Sequence, residues 1–278
     1  MENLLLTGIY DMHIHTAPDV VPRRCGDLEA ARRMLDAGMR GGVIKNHYLD
    51  TACRAELLKE QFPTLRFFGG ITLNRSVGGL NPWAAERSAQ AGGKMLWFPT
   101  LEAREYQRYQ HRSEPDADLS MYIPVCDENG KLLPAALDVL DVAAQHKLVV
   151  GTGHIGSLEG MALVREGVRR GCTMVLTHCD NPADQYSVEQ QVEAAKLGAF
   201  IEHSYFTTHY GRTSAEEITR QIRAVGVESV ILDTDFGQVK SPYFDEGMQM
   251  YARQLMEVGV TRDELMQMMQ ANPERLVG

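Results

Sequence analysis

Apolar positions along the chain alternate between two periods. Short runs rich in Val, Ile and Phe are followed by longer stretches whose apolar residues recur at helical spacing, and that alternation marks parallel βα units. Eight runs read as strands: 8–15, 42–47, 65–72, 95–100, 148–154, 173–178, 199–203 and 229–235. Between them the spacing predicts helices over 28–37 (ended by Gly38), 51–61 (stopped ahead of Pro63), 82–91, 134–146 (opened by Pro134), 157–170 and 187–197. A further helix starts at Ser214, with a serine cap and an acidic first turn in Glu216 and Glu217, and two more, 244–258 and 262–269, close the chain. The connection over 101–133 is the longest and ends in an expected hairpin that turns through Asp127-Glu128-Asn129-Gly130. A connection of that length reads as a lid or pocket wall, or equally as a solvated excursion or an oligomer contact.

Eight strands alternating with helices suit a closed (β/α)₈ TIM barrel of the α/β class, a single domain spanning 1–278. A doubly wound open sheet is the structural alternative. It would want a glycine fingerprint after the first strand, where this chain has His15-Thr16-Ala17-Pro18. In the barrel, active sites lie at the C-terminal ends of the strands, and that is where this chain carries its histidines and aspartates.

Composition narrows the partners. A net charge of -9 disfavours a phosphate-backbone partner, which needs clustered Lys and Arg, so no nucleic acid is expected. The opening Met1-Glu2-Asn3-Leu4-Leu5-Leu6 lacks a basic region and a signal-length apolar run, and no apolar window of spanning length follows. The expectation is a cytoplasmic protein with a small-molecule substrate, no membrane partner, and a possible homo-oligomer. Five cysteines without a C-x-x-C pair favour reduced thiols used as core filler, Cys179 being singled out because it follows His178.

The chemistry starts from Asp11-Met12-His13-Ile14-His15. Strand alternation puts His13 and His15 on one face, with Met12 and Ile14 on the other, so two imidazoles can meet one divalent ion while Asp11 supports the site from behind. The bland alternative is two histidines in a half-buried strand. His154, His178 and Asp235 also fall at strand ends, which favours the ion. A zinc-like ion takes imidazole nitrogen and carboxylate oxygen, keeps a position open for water, and lowers that water's pKa, while a carboxylate carries the proton to the leaving group. That division of labour predicts hydrolysis of a polarised carbonyl or phosphoryl bond.

With D-x-H-x-H on the first strand, histidines ending the fifth and sixth, an aspartate ending the eighth, and a closing Asn272-Pro273-Glu274-Arg275-Leu276-Val277-Gly278, the chain resembles the amidohydrolase superfamily. Since D-x-H-x-H begins at residue 11, the resemblance is to compact branches without the extra β-sandwich, such as phosphotriesterase-like and decarboxylase-like proteins. It implies a metal-dependent hydrolase, with His13, His15, His154, His178 and Asp235 as metal ligands and Asp235 as proton shuttle; His178 serves as ligand or as electrophile. Binuclear members often carry a carboxylated lysine or a glutamate at the end of the fourth strand. Here Phe98-Pro99-Thr100 stands there and Glu102 falls in the loop. Lys45 instead sits inward on the second strand, to bind a substrate anion, to be carboxylated between two ions, or to pair with a carboxylate. The expected cofactor is one divalent ion rather than two, zinc first, with manganese or iron as alternatives.

On the eighth strand Asp233 reads as support for Asp235, while Glu202 and His203 cannot both face inward. His111, His146 and His209 read as solvated. Arg24 and its neighbour Arg23, Arg75 and Arg104 lie on the presumed active-site face, where arginine suits carboxylate or phosphate. The expected substrate is therefore a small anionic amide, lactone or ester, contacted by Lys45, His47, Arg75 and Arg24. A phosphoester hydrolase, or a decarboxylase using the same ion, is the alternative.

Overall fold

The computed structural model describes residues 6–184 and 186–278, so residues 1–5, most of the segment read above for a leader, lie outside it. Among the described residues nine parallel strands follow one another: β1 (Tyr10–Ile14), β2 (Gly41–Ile44), β3 (Arg66–Phe68), β4 (Gly70–Thr72), β5 (Met95–Trp97), β6 (Val149–Gly151), β7 (Thr173–Leu176), β8 (Phe200–Ser204) and β9 (Val230–Asp233). They pair in chain order as β1-β2-β3 and as β4 to β9.

The two sheets meet at both edges. Past the end of β9, Asp235 N donates to His13 O at 2.9 Å and His15 N donates to Phe236 O at 2.7 Å, so the first strand pairs with the chain that follows the last. At the other seam, β3 and β4 are the halves of the expected third strand, parted at Gly69. There the Thr51 hydroxyl donates to Ile44 O at 2.7 Å and accepts from Gly70 N at 2.9 Å, doing the pairing that backbone would do in an unbroken ladder. The chain passes so close that a Cβ at Gly69 would stand 2.3 Å from Thr51 O. The result is the expected (β/α)₈ barrel, with its third stave in two pieces.

Helices α1 (Asp27–Asp36), α2 (Ala52–Gln61), α3 (Pro82–Gln90), α5 (Pro134–His146), α6 (Ser157–Arg169), α7 (Val188–Lys196), α9 (Ala215–Val225) and α10 (Phe244–Glu257) accompany the strands. Ser187 opens α7 with a reciprocal cap to Gln190, and Ser214 accepts from Glu217 N at the start of α9. Three short helices escaped the periodicity: one over Asn272–Val277 at the end of the chain, α4 (Arg104–Gln110), inside the long connection, and α8 (Tyr205–His209), directly after β8. The expected hairpin shrinks to one antiparallel bridge, Cys126 to Leu132. Among the described residues no helix is long and apolar enough to cross a membrane.

The strand alternation read for β1 needs a correction. Its register to β2 shifts between Asp11 and Ile14, so one extra residue is accommodated there. Met12 consequently joins Tyr10 inside the barrel, beside Val43, Trp97 and Ile231, while Ile14 faces the helix layer. Asp11 occupies the gap in the ladder: its carboxylate accepts from Thr234 N at 3.1 Å and Thr234 Oγ1 at 2.6 Å, and from His13 N at 3.2 Å. Above the inner layer, His13 and His15 are released toward the mouth.

At the opposite end, α11 (Arg262–Met266) and α12 (Asn272–Val277) bring Leu276 and Val277 into the same inner cluster as Tyr10 and Phe200. The fully buried Asn272 amide donates to Val227 O at 2.7 Å and Val230 O at 2.6 Å, which ties this plug to the start of β9.

Candidate metal centre

Three donors from opposite ends of the chain converge at the mouth. His13 Nε2 and His15 Nε2 each lie 3.1 Å from the same Asp235 oxygen, Oδ1. Edges of that length are what roughly 2.0–2.1 Å bonds to nitrogen and oxygen make around one ion. Asp235 reaches this position through a left-handed backbone turn, φ 52°, a conformation that aspartate tolerates better than most residues.

The donors fit a cation on electrostatic grounds. Glu202 Oε1 lies 2.9 Å from His13 Nδ1 and also accepts from His178 N, which assigns the His13 proton to Nδ1. The buried His13 Nε2 then presents a lone pair to the Asp235 oxygen and has no hydrogen-bond partner among the described residues. Two electron-rich atoms facing each other out of water call for a positive charge between them. Burial also holds His13 and His15, like His47 and His154, well below the ordinary imidazole range, which leaves these rings neutral and able to ligate.

His178 has the opposite character. Burial works against its charged form, but Asp184, 2.6 Å from Nδ1, outweighs it and pushes the pKa up to about 9. Asp184 is itself raised by burial to about 6, so the pair is imidazolium and carboxylate between those values. The His178 ring stacks 5.9 Å from His13. Because the raised pKa belongs to His178, its charge is present below about 9 and is lost as pH rises through it. Asp184→Asn leaves burial and Lys45 lowering the His178 pKa against Asp235 alone, and the His178 titration, followed by NMR, is expected to fall clearly below 9; a midpoint still near 9 would reject this role for Asp184.

His154 stands apart from the trio. β6 ends at Gly151, and Gly153, with φ 67°, turns the chain left-handed before His154, lifting its ring out of the strand layer to 4.9 Å from Tyr106 and 4.8 Å from His178. Neither His154 nor His178 joins the group formed by His13, His15 and Asp235. A second group, His13, Glu202 and Asp233, lies beside the first and shares His13. There Asp233 Oδ1 accepts from Ser204 Oγ at 2.7 Å, and burial raises the Asp233 carboxyl well above the usual range.

Lys45 is fully buried at the end of β2, with Nζ 5.3 Å from the Trp97 ring centre and without a hydrogen-bond partner among the described residues. Burial lowers its pKa, against the pull of Asp235, Glu202, Asp233 and Asp184. His47 stacks on His15, with 4.8 Å between ring centres. Its orientation comes from Thr100, at the end of the fourth predicted strand. Asn74 Nδ2 donates to Thr100 Oγ1 at 2.7 Å, so the hydroxyl proton turns to His47 Nδ1 at 2.8 Å. His47 therefore carries its own proton on Nε2 and offers a donor there.

Two expected substrate contacts lie elsewhere. Arg24 is exposed, donates to Val239 O at 3.2 Å and stacks over Tyr243. Arg75 is exposed too, its backbone N bound to Glu102. The arginine that enters the centre is Arg23: its side chain is 6% exposed, Asp19 holds Nε at 2.6 Å, and Nη2 lies 3.3 Å from His15 Nδ1. Its sequence signal was the Asp19 carboxylate four residues earlier. Glu202 was visible as one of two candidates on its strand; Asp184, in a loop, carried no signal. Cys179 turns away from the centre, its thiol donating to Glu202 O at 3.4 Å.

Residues 8–202 match the family of unknown function DUF6282. No curated protein matches the chain. Among solved structures, an amidohydrolase from Pseudomonas aeruginosa superposes with a TM-score of 0.60 at 13% identity, covering 99% of this chain and 97% of that one. A probable dipeptidase from the same organism gives 0.68 at 10%, covering 98% and 95%. The 2,6-dihydroxybenzoate decarboxylase from Rhizobium gives 0.58 at 11%, covering 98% of both chains. At these identities the likeness is one of fold.

Proposed function

The chain belongs to the DUF6282 family, and from its amidohydrolase-type barrel and the donors at its mouth we propose a metal-dependent hydrolase that uses a metal-activated water on a small-molecule amide, lactone or ester. The observation that carries this reading is the meeting of His13 Nε2 and His15 Nε2 at one oxygen of Asp235, 3.1 Å from each. When bound there, a divalent ion, zinc first, supplies Lewis-acid polarisation and hydroxide at neutral pH.

The chain's own groups do the rest. His13, His15 and Asp235 hold the ion, and Glu202 fixes the His13 ring so that Nε2 faces it. Asp235 takes a proton from water and returns it to the leaving group. His178, kept cationic by Asp184, donates from Nε2 to the oxygen on which negative charge develops. His47 offers a further N–H, and Lys45 and Arg23 place positive charge beside an anionic substituent. One ion is proposed rather than two, because Thr100 stands where a bridging carboxylate would be and His13 has already given one nitrogen to Glu202.

The test pairs elemental analysis with a screen of lactones, cyclic amides and phosphoesters. The expected result is about one zinc per chain and turnover that a chelator abolishes and zinc restores. Fully loaded protein that turns over none of them rejects the reading. The imidazolium at His178 would also serve a decarboxylase, as proton donor to a carbanion. Release of carbon dioxide from aromatic carboxylates, without hydrolysis, would select that reaction instead.

A further inference from the structure

The two imidazoles of the first strand hold their protons on different atoms. His13 gives its Nδ1 proton to Glu202 Oε1 at 2.9 Å, which leaves Nε2 bare toward Asp235. Beside the other ring, Arg23 Nη2 lies 3.3 Å from His15 Nδ1. A guanidinium has five N–H donors and no acceptor, so the contact has one direction: Arg23 donates and His15 Nδ1 accepts. A neutral ring with its lone pair on Nδ1 carries its proton on Nε2. That N–H faces Asp235 Oδ1, 3.1 Å away, and donates to it.

A chain of hydrogen bonds therefore runs from Asp19 through Arg23 and His15 to Asp235. Asp19 Oδ2 accepts from Arg23 Nε at 2.6 Å, and its other oxygen accepts from Val20 N, also at 2.6 Å. The Asp19 side chain is wholly buried, which fixes the guanidinium against His15. The arrangement puts a proton on the His15 nitrogen that a metal would need. For Nε2 to ligate, the proton of the neutral ring has to stand on Nδ1, where it meets the Arg23 N–H, two donors with no acceptor between them. His13 is set for ligation as it stands; His15 is not.

We propose that Arg23 is a positioning residue that holds His15 in the tautomer opposed to ligation, and that ion capture breaks the bond between Arg23 Nη2 and His15 Nδ1. The ring keeps a single proton throughout: it gives one up at Nε2 and takes one at Nδ1 through solvent. Capture thereby frees Nη2, and Arg23 can turn that N–H to an anionic substituent only once the ion is in place. The coupling to an ion rests on the metal-dependent reading above; the hold of Arg23 on His15 does not.

The test is imidazole nitrogen-15 NMR of metal-stripped protein before and after one equivalent of zinc. Before zinc, His13 is expected to be protonated on Nδ1 and His15 on Nε2; after it, both on Nδ1, so that one ring switches and its neighbour does not. Zinc affinity, measured by competition with a chromophoric chelator, gives a second readout. Removing Arg23 alone would strand the buried Asp19 charge, so the variant is Asp19→Asn/Arg23→Met, which leaves the net charge of the pair unchanged. It is expected to bind zinc about tenfold more tightly, because a hydrogen bond from a charged donor no longer has to be broken. His15 protonated on Nδ1 before zinc, a His15 ring that does not switch on zinc binding, or a folded variant that binds zinc no more tightly than the parent overturns the proposal. Should the variant fail to fold, the two spectra of the parent decide alone. Opposed tautomers in a parent that binds no zinc reject the metal-dependent reading and leave the hold of Arg23 on His15 standing.

Discussion

Asp235→Asn is expected to keep zinc bound and to lower turnover of a hydrolysed substrate by about 10²- to 10⁴-fold, the range for losing a positioned general base. The amide retains an oxygen where Oδ1 now lies 3.1 Å from both imidazoles, so the donor geometry survives. Asparagine also tolerates the left-handed backbone at this position, φ 52°, so the turn that presents the group should survive too. What disappears is a basic carboxylate. Metal content and kcat measured on one preparation separate the two roles: unchanged turnover rejects Asp235 as the proton carrier, and loss of zinc makes it a ligand before anything else.

The second large effect is on the ion itself. His13→Asn is expected to reduce bound zinc from about one per chain to background, because Glu202, 2.9 Å from Nδ1, aims this ring's Nε2 at the Asp235 oxygen 3.1 Å away. The readout need not involve turnover. A ligand that binds only the folded chain stabilises it by about 2.7 kcal/mol at a hundred times its dissociation constant. Adding zinc should therefore raise the melting temperature of the parent protein and leave that of His13→Asn unmoved. Glu202→Gln, which keeps the shape and removes the charge, should fall between them, weakening zinc affinity by about 10- to 100-fold. Equal zinc content in His13→Asn and the parent would remove the basis of the proposed chemistry.

The barrel was legible because its signal is repeated: eight apolar runs and the helices between them point the same way, and one broken stave at Gly69 does not disturb the pattern. Strand-end positions for His13, His15 and Asp235 followed from counting along runs. The misreadings have local causes. A one-residue register shift moved Met12 indoors while Ile14 kept its expected place against the helices, and period-two alternation carries no warning of a bulge. Gly153 reads as part of an apolar run, yet its positive φ lifts His154 away from the trio. Arg23 and Arg24 are neighbours with opposite fates, decided by Asp19 and by Tyr243, the second of which is remote in sequence. Asp184 and α4 lie in connections, where position is set by what the chain happens to pack against.

The pairing of His13 O with Asp235 N fixes an order of events during synthesis. Two of the three donors leave the ribosome early, but the third is translated only after all nine strands. A partly made chain therefore offers the cell two histidines and no third partner. On the proposed reading, ion capture must wait for the last stave to meet the first, so an occupied centre would certify that the ring has closed.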